Sequence, residues 1–155
     1  MKKNFIVVTG GAGFVGSNLI NLLIKKTKYK IISIDNYSSG FKKNHGKSKR
    51  IKYIKADTKN IFQLLKNPNK INTIFHFGEF ARIFQSFNKM NECIDSNSVG
   101  SHAVFNFCLI NKIKLIYSAT SASFGNRGRN KDLSPYAFTK SKNLESFRKR
   151  FLYFG

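Results

Sequence analysis

The chain has 155 residues, and 28 Lys and Arg against 7 Asp and Glu give a formal net charge of +21. This length suits one domain, and a hydrophobic content of 41% with 16 Phe supplies a core, which excludes a chain that is disordered throughout. No apolar run approaches the roughly 20 residues that a membrane-spanning helix needs, so we expect a cytosolic protein with no membrane partner. The cysteines, Cys93 and Cys108, have no metal-binding spacing and are expected to be buried free thiols.

The excess of basic residues raises the question of a polyanionic partner. Lysines are spread along the whole chain, and the one dense basic cluster occupies residues 42–55, with no acidic residue between Asp35 and Asp57. The interleaved aromatic residues and the binding motifs of nucleic-acid sites do not accompany it. We therefore interpret the cluster as a solvated basic loop and consider nucleic acid an unlikely partner; a nucleic-acid-binding module is the alternative.

Apolar runs and helical patterns alternate along the chain. Strands are predicted at residues 5–9, 30–35, 51–55, 73–77 and 114–118. Helices are predicted at residues 14–24, 60–65, about 90–111 and from 135 onward; in the first, Val15, Leu19, Leu22 and Leu23 recur at helical spacing as its apolar face. Because continuous apolar strands alternate with helices, the pattern predicts an α/β fold: a doubly wound, Rossmann-type parallel sheet with helices on both faces.

A glycine-rich segment joins the first predicted strand to the first helix. The glycines at residues 10–16 fit two overlapping patterns, G-x-G-x-x-G from Gly11 and G-x-x-G-x-x-G from Gly10, and both include Gly13 and Gly16. Glycines let such a turn tighten and let its backbone N–H groups approach a pyrophosphate at the positive end of the helix. The strand before the turn and the helix after it make this pattern much more specific than the glycines alone.

Two acidic residues lie at the ends of predicted strands. Asp35 ends the second strand, where a carboxylate can accept hydrogen bonds from an adenosine ribose. The same charge repels a 2′-phosphate and favours NAD over NADP, although Lys42 and Lys43 would partly offset the repulsion. Asp57 follows the third strand and either meets the adenine amino group or caps the next helix.

The segment from residue 134 to residue 140 carries a tyrosine and a lysine at helical spacing. Ser134 can cap a helix and Pro135 suits its first turn, so Tyr136 and Lys140, four residues apart, share one face. A tyrosine with a pKa near 10 needs a fixed positive neighbour to act as a general base, and Lys140 with an oxidised nicotinamide supplies it. In a chain this rich in Lys, an ordinary surface Tyr and Lys is the alternative.

Small hydroxyl residues follow the fifth predicted strand, at residues 117–125. Ligands bind beyond the carboxyl ends of strands in open parallel sheets. The hydroxyl of Thr120 would orient the substrate oxygen that Tyr136 deprotonates, and a Ser-rich loop without a function is the alternative.

With these residues in place, the chain resembles the extended short-chain dehydrogenase/reductase family, in particular its NAD-dependent nucleotide-sugar epimerases and dehydratases of the UDP-hexose 4-epimerase kind. The resemblance covers the glycine turn, residues 34–40, 56–57, 74–77, 96–100 and 118–125, and the Tyr136/Lys140 pair. It implies NAD as the cofactor, with Thr120 and Tyr136 as the catalytic pair. The implied cofactor-binding residues are Gly10, Gly13, Phe14, Val15, Gly16, Asp35, Asn36, Asp57, Thr58, Phe77, Asn97, Ser118, Tyr136 and Lys140.

Within this set, the resemblance assigns specific contacts. It implies that Asp35 holds the adenosine ribose, Asp57 the adenine and Lys140 the nicotinamide ribose, and that Asn97 lies near the nicotinamide. As a whole, residues 1–155 correspond to the NAD-binding Rossmann domain, which is the N-terminal half of the family fold.

Four residues depart from the family pattern. In the dehydratases an Asp-Glu pair follows the catalytic hydroxyl residue, whereas Ser121 and an alanine follow Thr120, so an epimerase or a simple reductase is favoured. Glu79 stands where the family usually has a small residue, and its role is open. Phe124 replaces a frequent tyrosine.

The resemblance also predicts the ligands and partners. Family members have a further half that builds the sugar-nucleotide pocket, so we expect a UDP-sugar substrate and either a homodimer or a partner chain that supplies that half. The predicted activity is nucleotide-sugar epimerisation. A nucleotide-sugar reductase or dehydratase and a non-catalytic NAD-binding fragment are the alternatives.

Overall fold

The computed structural model describes residues 3–121 and 132–154, with side chains to residue 149. The chain divides into two compact units. The sheet unit comprises Met1–Gly78 and Ala103–Ser118, and the helical unit comprises Glu79–His102 and Ala119–Gly155.

The sheet unit contains a five-stranded parallel sheet. Its strands are β1 (Phe5–Thr9), β2 (Lys30–Asp35), β3 (Ile51–Lys55), β4 (Ile71–His76) and β5 (Lys114–Tyr117). They lie in the order β3-β2-β1-β4-β5, and all four pairings are parallel. This order reverses direction between β1 and β4, which is the doubly wound arrangement. The predicted fold class is therefore confirmed.

Two apolar clusters cover the two faces of this sheet. Val7 of β1 belongs to one cluster, with Phe107 of helix α5 (Ser101–Ile110) and with helix α2 (Ile61–Leu64). Its neighbours Ile6 and Val8 belong to the other cluster, with Ile20 of helix α1 (Phe14–Lys26). Because successive strand residues point to opposite faces, an unbroken apolar run is what a sheet covered on both sides requires.

The predicted apolar face of α1 is wrong at two positions. Val15 is 56% exposed and Leu22 is 52% exposed, whereas Gly16 and Ile20 are buried. A Cβ on Gly16 would lie within 3.0 Å of the backbone of Gly10, so the helix meets the turn before it along its glycine side. Val15 is rotated about 100° from Gly16 and so lies off that side.

The prediction that residues 42–55 form a solvated basic loop is correct for the lysines, which are exposed, but not for Arg50 and His45. The exposed lysines are Lys42, Lys43, Lys47, Lys49, Lys52 and Lys55. Arg50 instead donates hydrogen bonds to the carbonyls of Ile24 (2.5 Å) and Thr27 (2.7 Å), at the C-terminal end of α1. His45 stacks on Tyr53 with ring centroids 3.7 Å apart.

The helical unit contains helices α3 (Ile83–Asn88), α4 (Met90–Ile94) and α6 (Pro135–Phe154), with a π-helical segment, Asp95–Gly100, between α4 and α5. The helix predicted at about 90–111 is thus continuous but changes its winding, and α3 was not predicted. Ser134 caps α6 by accepting a hydrogen bond from Ala137 N (3.0 Å), as predicted.

Both cysteines are free and buried, also as predicted. Of the described helices, none is long and apolar enough to span a membrane.

Candidate functional site

The turn between β1 and α1 has the backbone geometry of a phosphate cradle. Gly10 has a φ of +69°, and a Cβ there would lie 2.6 Å from the carbonyl of Phe77, so a side chain would be strained and would collide with backbone. Gly13 is the N-cap of α1, where no side chain caps the helix and its first turn holds no acidic residue. The positive end of a 13-residue helix is therefore not neutralised by its own side chains, which suits an anionic group.

Thr9 ties the carboxyl ends of β1 and β4 together. Its hydroxyl oxygen lies 2.6 Å from Nδ1 of His76 and accepts hydrogen bonds from the N–H groups of Phe77 (3.2 Å) and Gly78 (3.0 Å). A Cβ on Gly78 would lie 3.0 Å from Gly10 N. This contribution of Thr9 was not predicted, although a threonine at the end of an apolar strand was a visible signal in the sequence.

Asp35 lies at the carboxyl end of β2 with its carboxylate fixed from two sides. Oδ2 accepts a hydrogen bond from Ala12 N (2.9 Å), within the glycine turn, and Oδ1 accepts one from Tyr37 N (2.7 Å). A carboxylate has about four acceptor positions, so this anchoring is compatible with further bonds from ribose hydroxyls. Burial, and then the charge of Asp35, raises the pKa of the Tyr37 phenol.

Asp57 acts as a cap. Its side chain accepts a hydrogen bond from Lys59 N (3.1 Å) and caps a 3-10 turn, Thr58–Asn60, rather than the predicted helix itself, because α2 begins after Asn60, whose side chain makes no capping bond. It also accepts one from Asn36 Nδ2 (3.2 Å), linking the segments after β2 and β3. Its predicted contact with adenine stays a prediction.

The sheet unit thus brings one group of predicted cofactor residues to a single edge. They lie at or just beyond the carboxyl ends of its parallel strands or in the glycine turn, where α/β sheets bind ligands. This group consists of Gly10, Gly13, Phe14, Val15, Gly16, Asp35, Asn36, Asp57, Thr58, Phe77 and Ser118. The side chains of Phe14 and Val15 are 82% and 56% exposed, and their predicted contact with a cofactor stays a prediction.

The helical unit holds Lys140 in a buried polar cluster. Its ammonium forms an ion pair with Oε2 of Glu79, and both side chains are 4% exposed. The other carboxylate oxygen of Glu79 accepts hydrogen bonds from Ser101 Oγ (2.7 Å) and, longer, from Asn143 Nδ2 (3.4 Å). Sequence patterns gave no sign of this pairing, since Glu79 was noted only as a departure from the family.

Asn97 lies in the π-helical segment and is fully buried. Its Oδ1 accepts a hydrogen bond from Phe80 N (2.6 Å), and its Nδ2 donates to the Phe80 carbonyl (3.1 Å) and to Thr139 Oγ1 (3.1 Å). Its own carbonyl accepts a bond from Asn143 Nδ2 (2.5 Å). Asn97 therefore crosslinks the interior of the helical unit, and its predicted place near a nicotinamide stays a prediction.

The remaining catalytic predictions also fall on the helical unit. Tyr136 lies in the first turn of α6, and its N–H donates to Ser86 Oγ at 3.3 Å. Thr120 is half-buried, three residues beyond the end of β5. Phe124 lies outside the described residues, as do all of residues 122–131. Within residues 3–121 and 132–154, no group of three His, Cys, Asp or Glu side chains could hold a metal ion.

A parallel sheet of this strand order, with a glycine cradle between β1 and α1, defines a Rossmann-type nucleotide-binding protein. Residues 6–148 match the NAD-dependent epimerase/dehydratase family, and the chain belongs to this family. Its members are enzymes, and NAD is their cofactor.

Several known proteins are similar to the chain. It is 32% identical over 146 residues to an ADP-L-glycero-D-manno-heptose-6-epimerase of Brachyspira hyodysenteriae, matching 87% of this chain and 45% of that protein. It is 30% identical to a UDP-N-acetyl-alpha-D-glucosaminuronate decarboxylase of Bacillus cytotoxicus, over 81% of this chain and 39% of that one. A UDP-N-acetylglucosamine 4-epimerase of Methanobrevibacter ruminantium, solved with UDP-N-acetylmuramic acid, superposes with a TM-score of 0.86 at 30% identity, over 100% of this chain and 53% of that one. The chain thus spans about half the length of these relatives, or less.

Proposed function

We propose that the chain is the NAD-binding part of a nucleotide-sugar epimerase that acts on a UDP-hexose. The observation that carries the proposal is the cradle of the sheet unit, in which the glycine turn orients the carboxylate of Asp35 through Ala12 N. Two of the similar proteins are named as nucleotide-sugar epimerases, which supports the activity. The decarboxylase among them shows that the family carries other activities on related substrates.

The geometry of the sheet unit fits one half of the cofactor. The pyrophosphate would lie at the N-terminus of α1, where Gly10, Gly13 and Gly16 keep the backbone open. Asp35 would hold the adenosine ribose, with Asn36, Asp57 and Thr58 on the adenine side. For the nicotinamide side, the resemblance implies Phe77 and Ser118 of the sheet unit and, in the helical unit, Asn97, Tyr136 and Lys140.

Tyr136 is the proposed general base. It takes the proton of a sugar hydroxyl and returns it to the oxygen when the sugar is reduced on its other face, so no proton is lost over a cycle. The ammonium of Lys140 favours the phenolate form, an effect that the negative charge of Glu79 partly offsets, and the hydroxyl of Thr120 orients the reacting oxygen. NAD, when bound, supplies a reversible acceptor for the hydride. Turnover of a UDP-hexose that persists in Tyr136→Phe would overturn the role of the phenol.

A reductase of the same family is the second candidate. It is supported by the residues after Thr120, because Ser121 and the alanine that follows it offer no acid for the elimination that a dehydratase performs. The two candidates differ in stoichiometry. A reductase consumes one NADH for each sugar, whereas an epimerase regenerates its cofactor within the cycle.

The sugar-nucleotide pocket is proposed to need more than these residues. Because the chain spans about half the length of its relatives, we infer that a longer polypeptide, a second copy or a partner chain supplies the remaining part. The first test therefore addresses cofactor binding, which depends least on that part.

The test is a calorimetric titration of the chain with NAD and with NADP, on the native sequence, Asp35→Asn and Glu92→Gln. The native chain should bind NAD more tightly than NADP, because the carboxylate repels a 2′-phosphate. Asp35→Asn should lose most of the NAD affinity, since an amide presents an N–H where Ala12 N or Tyr37 N donates. Glu92→Gln makes the same change at an exposed carboxylate and should have no effect. No NAD binding, or equal binding by both variants, would overturn the proposal.

A further inference from the structure

Lys140 forms a buried ion pair with Glu79, but only the lysine has a role in the proposed mechanism. Exposed ion pairs of the helical unit, such as Lys149–Glu145, have side chains that are 67% and 48% exposed. Glu79 and Lys140 are each 4% exposed. Moving two charges out of water is unfavourable unless they are paired and hydrogen-bonded. The ammonium of Lys140 therefore depends on Glu79 for its place in the interior.

Glu79 is itself held in a fixed orientation. Ser101, at the start of α5, and Asn143, in the third turn of α6, both donate to the same oxygen, Oε1. This arrangement directs Oε2 to the ammonium of Lys140. Asn143 also donates to the carbonyl of Asn97, so the α6 side of the cluster is tied to the π-helical segment. Hydrogen bonds from α5 and α6 thus fix the carboxylate of Glu79, and this carboxylate in turn positions the ammonium of Lys140.

We propose that Glu79 is a positioning residue of the cofactor site, which places the Lys140 ammonium for the ribose next to the nicotinamide. This inference rests on the proposed function of Lys140. A lysine has a long flexible stem and a rotatable ammonium, so its direction needs an external anchor. An ammonium has three donors, so the ion pair is compatible with hydrogen bonds to ribose hydroxyls. The carboxylate at residue 79 thereby turns a mobile cation into an oriented hydrogen-bond donor.

The test compares two ligands that differ in what Lys140 would contact. NAD carries the nicotinamide ribose and ADP does not, so the ratio of their dissociation constants reports on the Lys140 end of the site. In Glu79→Gln we expect NAD to bind about tenfold more weakly and ADP to bind as in the native chain. Glu79→Asp should recover part of the NAD affinity, and Glu92→Gln is the control for loss of an exposed carboxylate.

A double-mutant cycle separates positioning from general support of the fold. If Glu79 acts through Lys140, adding Glu79→Gln to Lys140→Met should weaken NAD binding no further than Lys140→Met alone. A role in the fold alone would instead weaken NAD and ADP binding together in Glu79→Gln and leave the ratio of their dissociation constants at the native value. Should Glu79→Gln fail to fold, Ser101→Ala keeps both charges, frees the carboxylate and should shift the NAD/ADP ratio in the same direction by a smaller factor.

Each outcome has a distinct meaning. A native chain that binds NAD, with Glu79 and Ser101 variants that keep the native NAD/ADP ratio, overturns the role of Glu79 and leaves the proposed function standing. A native chain that binds neither ligand overturns the proposed function, and the role of Glu79 with it. A changed ratio that disappears in the Lys140→Met background supports the proposal.

Discussion

Most of the buried side chains of the sheet unit are apolar, whereas most of those of the helical unit are polar. Val7, Ile34 and Ile74 are fully buried in the first. The second buries Ser86, Asn97, Ser101, Thr139, Lys140 and Asn143. Apolar burial has no preferred direction, but each buried polar atom needs a partner at the right place. The sheet unit should therefore accept changes of shape that keep its hydrophobicity, while the helical unit should be sensitive to the exchange of single atoms.

The largest effect is expected at Gly10, where the sheet unit does not tolerate a change of shape because two backbone segments approach each other closely. Gly10→Ala should lower the free energy of unfolding by about 2–5 kcal/mol, because the new Cβ needs a strained φ and collides with the Phe77 carbonyl. Gly13→Ala is the matched control, since its Cβ would meet only Gly10 O at 3.2 Å. Urea denaturation of both variants measures the difference, and equal losses would contradict the close approach.

Asn97 tests the polar interior of the helical unit. Asn97→Asp nearly keeps the volume but removes the donors to the Phe80 carbonyl and Thr139, so we expect a loss of about 2–4 kcal/mol in urea denaturation. Ile34→Val, a comparably small change in the sheet unit, should cost only about 0.5–1.5 kcal/mol. If the two variants lose the same stability, the contrast between the interiors does not hold.

Arg50 is a polar exception within the sheet unit. Arg50→Lys keeps the charge but loses the planar fork that reaches Ile24 O and Thr27 O, so a loss of about 1–3 kcal/mol is expected. Lys49→Ala removes the exposed neighbouring cation and should change stability by less than about 0.5 kcal/mol. Thermal unfolding monitored by circular dichroism distinguishes them. A tolerated Arg50→Lys would show that only charge matters here.

The two cysteines place the same side chain in both interiors. Burial raises the pKa of the Cys108 thiol to about 12. The pKa of the Cys93 thiol is also raised, mainly by burial, and its contact with Thr139 offsets part of this increase. Because the folded pKa lies above the ordinary value of 9.0, the stability due to Cys108 is present below pH 9 and declines as the pH rises toward 12. Between pH 8 and 9.5 the native chain should lose about 1 kcal/mol more than Cys108→Ala does. Parallel pH profiles of denaturation would contradict this.

The parts of the fold that sequence reasoning predicted are those with local signals. Strands β1 to β5 follow from apolar runs, and the cap at Ser134 follows from its place before Pro135. The face of α1 could not be predicted from hydrophobicity, because the contact between Gly16 and the backbone of Gly10 turns Val15 outward. Helix α3 was not predicted because its apolar residues do not form one buried face; Phe84, for example, is 88% exposed.

The candidate site divides in the same way. The glycine turn and Asp35 were predictable because nucleotide cradles use short, ordered segments. The ion pair of Glu79 with Lys140 joins residues 61 positions apart, and no periodic pattern records such a pairing. The crosslink from Asn97 to Phe80 was hidden for the same reason, because a buried asparagine resembles an exposed one in sequence.

Strand β3 lies at the edge of the sheet, and its exposed lysines affect how the chain interacts with other chains. Among the strands that the structure describes, β3 pairs only with β2, so its outer backbone groups could bind a strand of another chain. Lys52 and Lys55 are exposed along it, in a segment that carries further exposed lysines before the strand begins. A strand added there would have to approach several hydrated ammonium groups, which opposes edge-to-edge aggregation. At high ionic strength this electrostatic barrier weakens, so the tendency of the chain to aggregate should rise with salt.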